Sequence, residues 1–136
     1  MRRILVSGLT TGVVSGVLLF LACAYVESST GIEIMTLLLN VDFIFGRSPG
    51  LFMELIFHLM VSVTLAIILK WLYLNKSHLY MPGLATVWVV VTLLYFVLSS
   101  LSVQNLELNG YIGFALWMIF HIGYLQALHL MFRLGF

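Results

Sequence analysis

The sequence predicts an all-α integral membrane protein, a four-helix bundle with a short interfacial or re-entrant helix in its first outer loop. Three observations carry that reading. First, 62% of the 136 residues are hydrophobic and 8% are charged, where a soluble domain carries roughly 25% charge. Second, four apolar stretches, at about 4–26, 51–74, 82–101 and 111–132, are each long enough to cross about 30 Å of hydrocarbon. Third, charge is segregated. With four spans, Arg2, Arg3, Lys70, Lys76 and Arg133 fall on one side, and Arg47 is the base on the other. Lys and Arg mark the cytoplasmic side, so both termini are expected in the cytoplasm. Glu27, Glu33, Asp42, Glu54 and Glu107 all fall opposite. The whole chain reads as one transmembrane domain.

In the first span, Gly8, Gly12 and Gly16 recur every four residues. On a helix that spacing makes a smooth groove on one face, the form in which helices approach closely in lipid. Ser7, Thr11 and Ser15 run beside it. The groove is expected to pack a helix of the same chain or of a second copy. Arg2-Arg3 before an apolar run also opens a signal peptide, but this run reaches Val26, longer than a signal's apolar core. It is expected to stay as a span. Cys23, the single cysteine, reads as a small packing residue.

The first loop carries an apolar segment, about 33–45, too short to span and too apolar to lie in water. That predicts the interfacial or re-entrant helix. Gly46-Arg47-Ser48-Pro49-Gly50 ends it. Asp42 and Arg47 are candidate outer-loop contacts, with Arg47 paired to Asp42 or to a lipid phosphate, or simply solvated.

The second span sets Glu54, His58 and Ser62 on one face, and Lys70, Trp71 and Tyr73 mark its cytoplasmic end. Pro82-Gly83 is expected to open the third span, because proline fits a first helical turn. Trp88, Thr92, Tyr95 and Ser99 then form one stripe. At 1.5 Å per residue, Tyr95 and His58 both lie about 10 Å below the outer surface. The fourth span aligns Trp117, His121 and Tyr124. Polar groups in hydrocarbon must find partners or face a cavity. Glu54, His58, Thr92, Tyr95, His121 and Tyr124 are therefore the candidate polar site. Glu54 beside His58 reads as a proton relay or as a plain i,i+4 pair. His58 with His121 reads as a ligand pair for haem b or as interhelical hydrogen bonding.

The net charge of +1 gives no reason to expect a nucleic-acid partner. G-x-S-x-G, Walker-type and H-E-x-x-H motifs are absent from the sequence, and no enzyme activity and no cofactor are expected. The expected role is structural or accessory, through helix contacts within a homo-oligomer or a larger membrane complex, with membrane lipids around it. The alternatives are proton or solute conduction through Glu54, His58, Tyr95 and His121, and a haem- or quinone-binding subunit.

Gly8-Leu9-Thr10-Thr11-Gly12-Val13-Val14-Ser15, Arg47-Ser48-Pro49, His58 with Ser62, Gly83, and His121 with Arg133 together resemble the YagU-like small inner-membrane proteins of bacteria. The chain departs from that group in a shorter segment after Pro49, and in Ser102-Val103-Gln104-Asn105 where the group has a proline-rich loop. The resemblance implies a four-helix protein of the bacterial inner membrane, linked to acid or envelope stress. It implies no substrate and no catalytic residues.

Overall fold

The computed structural model describes residues 2–136. Its helices are α1 (Arg2–Thr30), α2 (Ile34–Leu38), α3 (Asp42–Phe45), α4 (Leu51–Asn75), α5 (Ser77–Leu101) and α6 (Tyr111–Arg133). The four long ones are each long and apolar enough to cross a membrane, because in lipid a helix satisfies its own backbone groups. The chain is a small all-α multi-pass membrane protein. Around the bundle the order is α1, α4, α5, α6, with α6 closing back on α1. The chain reverses between successive long helices, so neighbours run antiparallel. One end, the termini end, holds both chain ends and the α4–α5 turn. The other, the loop end, holds α2, α3 and the α5–α6 connection.

Several boundaries differ from the expected ones. α1 continues to Thr30, where Gly31 takes a left-handed φ of 74° and its N–H bonds the Glu27 carbonyl. Glycine tolerates that conformation, which makes it a common helix stop. The expected turn over 75–81 shrinks to Lys76, and α5 already begins at Ser77. Pro82 therefore lies in the second turn of α5 instead of opening it. Its missing N–H deprives one carbonyl, that of exposed His78, close to a helix end where water can replace the bond.

In place of one helix over 33–45 there are two short ones, broken at 39–41. The break comes where Asn40 turns its side chain on the backbone: Oδ1 accepts the Asp42 N–H at 3.1 Å and Nδ2 donates to the Leu98 carbonyl. Ile34, Leu37 and Leu39 are buried against the bundle, so α2 caps the helices, while Phe43, Ile44 and Phe45 on α3 remain exposed. Side chains tie the cap down. Glu27 accepts both the backbone N–H and the hydroxyl of Thr36, and a Glu33 carboxylate oxygen accepts the Glu107 N–H at 2.7 Å.

Lys70, read as one of the residues that mark the cytoplasmic end of its span, is 4% exposed. Its ammonium donates to the Phe136 carbonyl and stands 4.8 Å from the Phe132 ring centroid. Cation–π contact of this kind compensates part of its lost hydration. Tyr80 bonds His129 Nδ1 at 3.0 Å in the same half, and Ala66, Leu69, Leu128 and Phe132 fill the centre there.

Candidate functional site

The glycine groove of α1 is filled by α4. A Cβ on Gly12 would stand 2.6 Å from Val63 Cα, and one on Gly8 2.8 Å from Ile67 Cα. Bare glycine backbone also exposes its carbonyls, and α4 uses two of them. Ser62 Oγ donates to the Gly12 carbonyl at 2.7 Å, and His58 Nε2 to the Gly16 carbonyl at 3.3 Å. Both pairs are spaced by four residues, so the antiparallel helices keep one register. Thr11 and Ser15 are fully buried beside them and bond back to carbonyls of their own helix. The groove thus joins two helices of one chain.

On its other flank α4 faces a cavity of about 300 Å³, at the lower edge of the range for small-molecule sites. Leu38 to Val41 roof it at the loop end. Phe57, Val61 and Leu65 of α4, Leu94 and Leu98 of α5, and Leu19 of α1 wall it. Ser62, Trp117, His121 and Tyr124 lie at its inner end, with His58 beside them. Val61 and Leu94 line it and are also exposed, at 58% and 36%, so it reaches the surface of the bundle between α4 and α5.

The inner end is tightly bonded. Trp117 Nε1 donates to the Val91 carbonyl at 2.9 Å, across α6 and α5. Tyr124 Oη lies 3.0 Å from Ser62 Oγ and 3.2 Å from the Ser62 carbonyl. His121 Nδ1 donates to the Trp117 carbonyl at 2.8 Å, and the two rings are 4.3 Å apart.

Four of the six candidate polar residues line this cavity: Glu54, His58, His121 and Tyr124. Thr92 and Tyr95 do not. Thr92 bonds the Trp88 carbonyl and faces Met118. Tyr95 packs edge-on against Phe96, Phe114 and Trp117, on the side of α5 that meets α6. Glu54 and His58 share a helix face but not a bond. Glu54 Oε1 accepts the Ser48 hydroxyl at 2.6 Å, while His58 turns to Gly16. Neither reading of the two, proton relay or plain i,i+4 pair, therefore has its Glu54–His58 contact.

Asp42 and Arg47 are also not paired. Asp42 is 4% exposed, and its Oδ2 accepts from Val103 N–H and the Ser102 hydroxyl. Among the described residues its Oδ1 has no partner, and Arg47 is exposed. Ser62 and Trp117 are central to the cavity although neither stood among the sequence candidates. Their signal was positional, one turn from His58 and from His121 respectively.

No family model matches the chain, and no curated protein or solved structure matches it either.

Proposed function

We propose that this protein holds a lipid-soluble small molecule inside its bundle, and that this binding, with no chemical step, is its role. One observation supports the reading: an apolar cavity of about 300 Å³ with two histidines at its inner end, reaching the membrane-facing surface of a chain with four candidate spans. A ligand dissolved in the bilayer enters sideways, without crossing water. With the basic residues on the cytoplasmic side, the cavity lies in the outer half of the bacterial inner membrane.

This develops the ligand-binding alternative, with a lipid-soluble molecule in place of the haem or quinone. The scaffold reading needs a contact with a second copy or another subunit, and the glycine groove does not supply it, because α4 of the same chain, one of the two occupants expected for it, fills the groove. Conduction through Glu54, His58, Tyr95 and His121 needs those groups in one file, and Ala66, Leu69 and Leu128 close the bundle below Ser62. A link to acid or envelope stress, as in YagU-like proteins, fits a protein that senses a membrane-dissolved molecule.

Native mass spectrometry of the mildly solubilised protein tests the proposal. It should show one stoichiometric lipid-soluble adduct, lost when Leu94→Trp fills the mouth. The same lipid masses on both proteins would overturn it.

A further inference from the structure

We infer that the inner end of the cavity selects a ligand that donates hydrogen bonds: a lipid-soluble alcohol or phenol whose hydroxyl reaches His58 and His121. The inference rests on the proposal that the cavity holds a lipid-soluble molecule, and it states which polar group that molecule must carry.

The donors at the inner end are already committed to the protein. Trp117 Nε1–H goes to the Val91 carbonyl, and the Ser62 hydroxyl goes to the Gly12 carbonyl. The Tyr124 hydroxyl is held by Ser62, through its Oγ and its carbonyl. The histidines complete the pattern. A backbone carbonyl can only accept. The nitrogens facing carbonyls, His58 Nε2 and His121 Nδ1, therefore carry the hydrogens. A neutral imidazole then keeps a lone pair on its other nitrogen. His58 Nδ1 and His121 Nε2 are those two acceptors. Neither is sealed off: among the described residues, the fully enclosed side-chain polar atoms without a partner are Ser7 Oγ and Asp42 Oδ1. The cavity is the open space that both histidines line.

Two lone pairs and no spare hydrogen at the inner end make a sign rule. A hydroxyl satisfies a histidine nitrogen. A ketone, ester or ether brings only further lone pairs, desolvates the imidazoles and leaves them unpaired. An analogue that lacks the hydroxyl leaves the polar groups of such a site unpaired and binds less tightly. The apolar walls, Phe57, Val61, Leu65, Leu94 and Leu98, then take a hydrocarbon body.

The test needs the full chain and two pairs of isomeric probes. Equilibrium binding of radiolabelled 1-dodecanol is compared with undecyl methyl ether, and that of a 4-alkylphenol with the isomeric alkyl anisole. Each hydroxyl should bind about tenfold more tightly than its ether, the ratio that one net hydrogen bond supplies. The tighter of the two hydroxyl probes assigns the natural ligand to an aliphatic or an aromatic alcohol. In a His58→Phe, His121→Phe chain the preference should fall to about one while ether affinity stays within about twofold, so the ether reports that the cavity still forms. Equal binding of hydroxyl and ether to the unmodified chain would overturn the inference and leave the cavity proposal standing. No saturable binding of any probe would overturn both.

Discussion

The two flanks of α4 obey opposite rules. Toward α1 the backbones are so close that a Cβ on Gly12 would meet Val63 Cα at 2.6 Å, and Ser62 and His58 donate directly to glycine carbonyls. Toward α5, in the loop half, large apolar side chains of both helices line about 300 Å³ of open space. In lipid, apolar surface alone does not drive helices together, so contact follows from small residues and hydrogen bonds. The first flank has both. On the second, Phe57, Val61, Leu94 and Leu98 line the gap and have neither. A tight seam and an open cavity can therefore share one helix, with the seam fixing the position of the cavity wall.

That contrast breaks first at Gly12. Gly12→Leu drives a side chain into the α4 backbone, which cannot move aside as a flexible side chain would. Thermal unfolding in mild detergent should show a loss of about 3 kcal/mol, the upper end for overpacking. Full tolerance would mean that the seam is not tight. A smaller effect is expected from Ser62→Ala, which removes the donor to Gly12 and half of the Tyr124 anchor. It should cost about 1 kcal/mol, in line with interhelical hydrogen bonds in membranes. The smallest belongs to the open flank. Leu94→Trp adds bulk where there is space, and its stability should match the unmodified chain within about 0.5 kcal/mol. A loss as large as that of Gly12→Leu would show the α4–α5 flank to be as tightly packed as the seam.

The spans were legible because hydropathy and length are properties of single segments, and the glycine groove because helical spacing fixes one face. What fills the groove was not, since Leu59, Val63 and Ile67 look like any other lipid-facing residues of α4. The polar site was half legible for a related reason. A shared face brings residues near one another, but partners are chosen by the neighbouring helix. Glu54 and His58 sit one turn apart, yet Ser48 takes one and Gly16 the other. Tyr95 has the right depth but stands where α5 meets α6, a rotation that the α5 sequence alone does not encode. The partners of Lys70 were not legible either, because the Phe136 carbonyl and the Phe132 ring that enclose it are distant in sequence.

Trp117, 2% exposed and lining the cavity, is a built-in reporter for the central claim. In a chain carrying Trp71→Phe and Trp88→Phe, its fluorescence should be quenched saturably by a long-chain alcohol brominated next to its hydroxyl end, and unbrominated alcohol should restore it. A companion chain retaining Trp88 in place of Trp117 reports from the bundle surface, where quenching should rise linearly with the amount of quencher. If Trp117 stays bright, or follows the same straight line as Trp88, the cavity does not hold a lipid-soluble ligand.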